Sequence, residues 1–300
     1  MNNINIEHLS KTALESLSLS DEERINKIKQ DKWIGYSQAR LVLDKLEDLL
    51  YYPPRHRMPC LLIVGDTNNG KTMIVRRFLH LHPPNPNVEG DASIAPIMIV
   101  QAPPVPDESR FYNNILNELF AEYRENDRSA RKYSQVIRLL KAIKLRMLVI
   151  DEIHDILAGS TKKQHEFLNV IKNLSNELMI PIVGVGTRDA LRALQTDPQL
   201  SNRFEPISIP KWTMDQDYLR LLASFEKVLP LKKPSHLTQN NIAQKLLTMS
   251  EGFIGELSRI LTKAAIKAIE SNTEQINIKI LDILDWVKPS ERRKAAEKDF

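Results

Sequence analysis

The chain has 300 residues, a length that favours one large domain joined to a smaller one. Its 42 Lys and Arg against 38 Asp and Glu leave a formal charge of +4, and 42% hydrophobic with 27% charged residues excludes wholesale disorder. A lone cysteine, Cys60, excludes a disulfide-stapled fold, no run reaches the ~18 apolar residues of a membrane span, and Met1-Asn2-Asn3-Ile4-Asn5 is no signal peptide, so a cytoplasmic protein without membrane contact is expected.

Ser20-Asp21-Glu22-Glu23 reads as a capping box, in which the Ser20 hydroxyl serves the Glu23 backbone N–H and Glu23 reaches back. It opens a short helix predicted to end near Trp33, with Gly35 at the exit. Leu41, Leu43, Leu46, Leu49 and Leu50 then recur at helical spacing until Pro53-Pro54 stops them. Cys60-Leu61-Leu62-Ile63-Val64 is a short apolar run of the kind buried on both faces of a sheet. Ile97-Met98-Ile99-Val100, Met147-Leu148-Val149-Ile150 and Ile182-Val183-Gly184-Val185 repeat it, and Pro206-Ile207-Ser208-Ile209 is a weaker fifth.

Helical patterns over 110–124, 134–144, 164–178 and 188–194 lie between these runs, and the alternation predicts a five-stranded parallel sheet with helices on both faces. The proline clusters at 83–86 and 103–106 mark loops. After Pro210-Lys211-Trp212 no such strand recurs, and helices are predicted over 215–229, 238–249 and 254–269. The expected organisation is an N-terminal helical segment (1–34), an α/β core (35–210), a small helical lid (211–288) and a charged tail (289–300).

Gly65-Asp66-Thr67-Asn68-Asn69-Gly70-Lys71-Thr72 follows the first strand and opens a helix, matching G-x-x-x-x-G-K-[ST]. Glycines let the backbone curl so that successive N–H groups cup phosphate oxygens, and the helix N-terminus adds partial positive charge. Lys71 is suited to the β- and γ-phosphates, and the Thr72 hydroxyl to Mg²⁺. Further on, Met147 to Ile150 carry Asp151 to the carboxyl end of the sheet, where it suits the metal through water. Glu152, next along, is the candidate general base for an attacking water. Reading Asp151, Glu152, His154 and Asp155 as a separate metal cluster is poor, because no second histidine stands at helical spacing.

These motifs, with Val185-Gly186-Thr187, Asn202-Arg203-Phe204 and Gly255-Glu256-Leu257-Ser258-Arg259, resemble the Walker motifs, sensor one, arginine-finger box and sensor two of AAA+ ATPases. Trp33-Ile34-Gly35-Tyr36 resembles the segment that packs on adenine there. The runs 173–178, 184–187 and 229–235 make the chain similar, over roughly 20–285, to the TniB/TnsC family of transposition ATPases. The resemblance implies nucleotide contacts from Gly65 through Met73, from Trp33, Ile34, Gly35 and Tyr36, and from Arg259. It implies Arg203 as a finger reaching the neighbouring protomer's γ-phosphate, and Thr187 as the residue that orients the lytic water. On the residues alone, Thr187 is equally a strand-end turn residue, and a buried core aromatic is the more common fate of Trp33 and Tyr36.

Between Glu122 and Arg146 stand eight basic residues against three acidic ones. Arg131, Arg138 and Lys141 share one helical face, Arg124, Arg128 and Lys132 fall on a preceding turn, and Lys162 and Lys163 occupy a Gly-Ser-Thr loop. They are the candidate contacts to double-stranded DNA, and few aromatics accompany them, which argues against single-strand stacking. A solvated helix face is the competing reading.

The resemblance implies an ATP- and Mg²⁺-dependent homo-oligomer, ring or filament, on target DNA, linking a TniQ-type target-recognition protein to a transposase. Two alternatives stay open. One is a replication initiator or helicase loader, for which no room for a winged-helix domain is expected after residue 288; the other is a signalling or chaperone ATPase acting on protein.

Overall fold

The computed structural model describes residues 8–88, 90, 92–195 and 201–292. Five strands form one wholly parallel sheet: β1 (Cys60–Gly65), β2 (Ile97–Gln101), β3 (Met147–Asp151), β4 (Ile182–Gly186) and β5 (Phe204–Ile209), in the order β2-β3-β4-β1-β5. Every residue of β1 and β4 is buried, as continuous apolar runs in the middle of such a sheet require. In β5 only Phe204, Ile207 and Ile209 are buried, because it is an edge strand, and Pro206 is tolerated there.

Around the sheet run α3 (Ser37–Leu50), α4 (Lys71–Leu81), α5 (Glu108–Glu118), α6 (Ser129–Ala142), α7 (Thr161–Leu178) and α8 (Arg188–Gln195). The predicted helix over 110–124 stops at Glu118: Leu119 caps it, and Phe120, nearly fully exposed, turns left-handed at φ 51°. The helix predicted from 134 begins earlier, at Ser129. Beneath the helices Phe111 and Phe167 meet edge to face at 5.1 Å within the apolar cluster that includes Leu148, Ile150 and Leu168.

By internal packing the chain divides into two units, Gln38–Pro210 and a second that joins the residues up to Ser37 with those from Lys211 onward. The second unit holds α1 (Lys11–Ser16), α2 (Asp21–Lys29), α9 (Gln216–Val228), α10 (Asn240–Ser250), α11 (Ile254–Glu270) and α12 (Ile278–Asp282). The Ser20–Glu23 capping box is present, but α2 ends at Lys29 rather than near Trp33. Its Ile28 joins Tyr218, Leu222, Ile260 and Ile276 in one core.

A buried ion pair ties α2 into this unit: Arg24 Nη2 donates to Glu274 Oε1 at 2.8 Å, with the Arg24 side chain fully buried. Burial pushes the Glu274 carboxyl up, but hydrogen bonds from Arg24 and Lys232 outweigh it and hold it below the ordinary carboxylate range. Among the described residues no helix is long and apolar enough to cross a membrane. Arg293 and Lys294, in the predicted charged tail, lie outside the described residues.

Candidate functional site

The phosphate-binding motif lies at the carboxyl end of β1. Asn68 at φ 62° and Gly70 at φ 82° bend the loop through left-handed backbone, and Gly70 caps α4 with no side chain in the way. A Cβ on Gly65 would stand 3.0 Å from the Ile209 carbonyl, so that position too admits little more than hydrogen. Asn69 is 1% exposed, and its Nδ2 donates to the Ile209 and Pro210 carbonyls at 2.8 and 3.0 Å, fastening the loop to the end of β5. Its Oδ1 is buried without a hydrogen-bond partner.

Lys71 Nζ donates to the Gly65 and Asp66 carbonyls at 2.9 and 2.8 Å. Burial pulls its ammonium below the ordinary lysine value, while the carboxylates of Glu152, Asp151 and Asp66 act to restore the charge. Thr72 Oγ1 donates to Asp151 Oδ2 at 2.9 Å, and the other carboxylate oxygen accepts from Glu152 N at 2.9 Å. A hydroxyl and a carboxylate oxygen so close together form a hard-oxygen pair that fits Mg²⁺, which takes few protein ligands and completes its shell with phosphate and water.

Glu152 sits in left-handed backbone, φ 54° and ψ 36°, an uncommon position for a non-glycine residue. It turns the chain from β3 into a 3-10 segment, Ile153–Ala158, that lies flat on β4: a Cβ on Gly184 would come within 2.9 Å of Ile153 Cδ1. Glu152 Oε2 lies 3.3 Å from His154 Nδ1. Thr187 follows β4 directly, and its Oγ1 is buried without a partner, a polar atom that a water or ligand would satisfy. Its neighbour Arg188, which the motifs do not single out, comes to 3.9 Å of Asp66 Oδ1 in the phosphate loop.

Arg203 occupies the opposite end of the sheet. Its carbonyl accepts from Cys60 N at 2.9 Å where β1 begins, and Phe204 pairs with Cys60. The six residues of β1 therefore separate it from its own phosphate loop by about 17 Å. Its Nη1 donates to Asn176 Oδ1 on α7 at 2.9 Å. Cys60 beside it is buried, and burial pushes the thiol up to about 11.

The remaining candidates for nucleotide contact lie in the helical unit. Arg259 is exposed on α11, 3.5 Å from Glu256 and over the Trp286 ring at 5.9 Å. Ile34 is buried in that unit's core; Trp33 is partly buried, and Gly35 is exposed. Tyr36 meets Trp212 edge to face at 5.1 Å, and burial pushes its phenol up to about 12.

The basic stretch needs one correction. Lys132 is 1% exposed, and its Nζ donates to Ser109 Oγ and the Glu125 carbonyl, both at 2.8 Å. The helical register explains it: Lys132 falls in line with Val136 and Leu140, the buried stripe of α6, and so cannot touch a DNA backbone. Arg131, Arg138 and Lys141 are exposed on α6, as are Arg124 and Arg128 before it; Arg131 pairs with Asp127 and Lys141 with Glu177. Lys162 and Lys163 are exposed on the first turn of α7 rather than in a loop, because Ser160 caps that helix.

The family model described as "Bacterial TniB protein" matches residues 24–214, well over half of the chain. No curated protein matches it. Among solved structures, the Aeropyrum pernix ORC2 protein in its ADPNP–ADP complexes is 14% identical, with 91% of this chain and 72% of that chain covered at a TM-score of 0.57. Cdc6p from Pyrobaculum aerophilum is 16% identical, with coverages of 86% and 68% and a TM-score of 0.58. The Aeropyrum pernix ORC1 protein in complex with DNA is 15% identical, with coverages of 90% and 69% and a TM-score of 0.54. At such identities the likeness is one of fold, and the fold is the AAA+ one. With the family match spanning the phosphate loop, the acids of β3 and the Arg203 edge, the chain belongs to the TniB family and is an AAA+ ATPase.

Proposed function

We propose that the protein binds ATP with Mg²⁺ at Gly65 to Met73, assembles head to tail on duplex DNA, and there links a TniQ-type target-recognition protein to a transposase. Thr72 and Asp151 would hold the metal, which supplies charge neutralisation at the phosphates. Lys71 would give up its loop carbonyls for phosphate oxygens. Glu152 would accept a proton from water as the oxygen–phosphorus bond forms and the bond to ADP breaks, with Thr187 Oγ1 orienting that water.

One observation carries the assembly reading. Arg203 stands about a strand's length from its own phosphate loop, too far to serve it, so its guanidinium suits a neighbouring protomer's γ-phosphate. A heterologous contact of that kind closes into a ring or grows into a filament. The exposed cations at 124, 128, 131, 138, 141, 162 and 163 support tracking of a phosphate backbone without sequence readout. Arg259 and the Trp33–Tyr36 segment would contribute to nucleotide contact from the helical unit. A replication-initiator role shares the fold, and the TniB family match favours transposition over it.

The test is assembly. Full-length protein is mixed with Mg²⁺, a slowly hydrolysed ATP analogue and duplexes of graded length, then followed by gel shift over a salt series and by electron microscopy. Nucleotide-dependent oligomers, sensitive to salt and duplex length but indifferent to sequence, are expected. A protein that holds Mg·ATP yet stays monomeric at every concentration, with or without DNA, overturns the reading.

A further inference from the structure

His154 stands at the acids of β3, and none of the hydrolytic steps uses it. It is the second residue of the 3-10 segment Ile153–Ala158, just beyond the left-handed turn at Glu152. Its Nδ1 lies 3.3 Å from Glu152 Oε2 but out of hydrogen-bond alignment. That nitrogen is buried and has no hydrogen-bond partner among the described residues, a condition that is costly to maintain. The other ring nitrogen, Nε2, is 4.0 Å from Asp155 Oδ1. Gly186 makes room for the ring: a Cβ there would stand 3.3 Å from His154 Nδ1, so the imidazole edge rests on bare backbone where β4 ends. One residue on, the Thr187 hydroxyl is likewise buried and unpartnered. The imidazole is 24% exposed and held against the strand, whereas the Glu152 carboxylate is 42% exposed and has rotamer freedom to lose.

We propose that His154 is a positioning residue for the general base: its Nδ1–H donates to Glu152 Oε2 and holds the carboxylate in one orientation, leaving Oε1 to take the proton from water. The inference rests on the reading of Glu152 as that base. A ring with its proton on Nδ1 presents a donor to the carboxylate, whereas a bare Nδ1 lone pair would be repelled by it. A small turn of the Glu152 side chain brings the two atoms into line, and hydrogen bonds of this kind commonly tighten once substrate is bound. The role asks no proton transfer of His154 and no contact with nucleotide or metal. It acts through Glu152, so the chemical step depends on it and nucleotide affinity does not.

Three replacements in the full-length protein, assayed with Mg²⁺, ATP and duplex DNA, test this. Asparagine keeps an N–H donor near the place of Nδ1, glutamine carries its amide out to that of Nε2, and leucine fills the space with no donor. His154→Leu and His154→Gln should slow phosphate release about 10- to 100-fold, the worth of a hydrogen bond to a charged group, and His154→Asn should recover the rate to within about threefold of the parent. All three should bind a fluorescent ATP analogue within about twofold of the parent, and a thermal melt verifies that each folds. If His154→Leu fails to fold, the glutamine and asparagine variants decide between them. Because the two residues act as a unit, adding His154→Leu to Glu152→Gln should slow release less than about twofold further, whereas general damage to the site slows both backgrounds alike. If Glu152→Gln itself releases phosphate at the parental rate, the base reading fails and this inference with it. If Glu152→Gln is slow while the glutamine variant matches the parent, the asparagine variant is as slow as the glutamine one, or leucine slows both backgrounds alike, the positioning role alone is overturned.

Discussion

Thr72 and Asp151, 79 positions apart in the chain, are joined by a hydrogen bond of 2.9 Å from the threonine hydroxyl to the carboxylate. The contact exists because β1 and β3 flank β4 in one parallel sheet, so their carboxyl ends open onto the same edge. It brings the phosphate loop and the acids together, and the charge of this edge is what the first two predictions probe.

Lys71→Ala is expected to weaken ATP binding about 10- to 100-fold, through removal of charge-assisted hydrogen bonds to phosphate, and to abolish assembly on DNA. Titration with a fluorescent nucleotide measures the first, and electron microscopy the second. Because burial lowers the Lys71 pKa, the parent's affinity should fall with rising pH earlier than an exposed lysine would dictate, whereas Lys71→Arg should bind without that fall. An affinity flat through the alkaline range contradicts the burial argument.

Glu152→Gln should leave ATP affinity within about twofold and slow phosphate release by about 10²- to 10⁴-fold, the usual worth of a general base. Assemblies should then persist in ATP as they do in the slowly hydrolysed analogue. Phosphate release at the parental rate removes Glu152 from the base role.

Salt titration separates the exposed and buried faces of α6. Arg131→Ala and Arg138→Ala should each lower the slope of log affinity against log salt by about 0.9 for every phosphate that the arginine neutralises, uniformly across DNA sequences. Lys132→Met should leave that slope unchanged and destabilise the fold by about 1–3 kcal/mol, since it orphans the Glu125 carbonyl and the Ser109 hydroxyl. A reduced salt slope in Lys132→Met, at parental stability, contradicts its assignment to the core.

The Arg24–Glu274 pair predicts a pH dependence of the helical unit. Glu274 has its folded pKa held below the unfolded value, so its stabilisation is complete above about pH 4.3 and is lost as pH falls through the folded value. Melting temperature should drop through that acid window in the parent and less steeply in Glu274→Gln. Arg24→Met alone should cost about 3–5 kcal/mol, whereas the double replacement Arg24→Met with Glu274→Met should recover most of it. A double variant no more stable than the single one refutes the pair as the source.

What could be read from residues alone was whatever depends on short spacing. The apolar runs, the glycine–lysine loop and the acids closing β3 are local patterns whose physics, burial on both faces and phosphate capture at a helix start, is complete within about ten residues. Tertiary packing decided the rest. Lys132 looks like any surface cation until the register of α6 turns it toward Ser109. Asn69 shows its role only once β5 delivers two carbonyls to it, and Arg24 only once Glu274 arrives from the far end of the chain. Burial and electrostatics are properties of neighbours in space, and here those neighbours stand tens to hundreds of residues away.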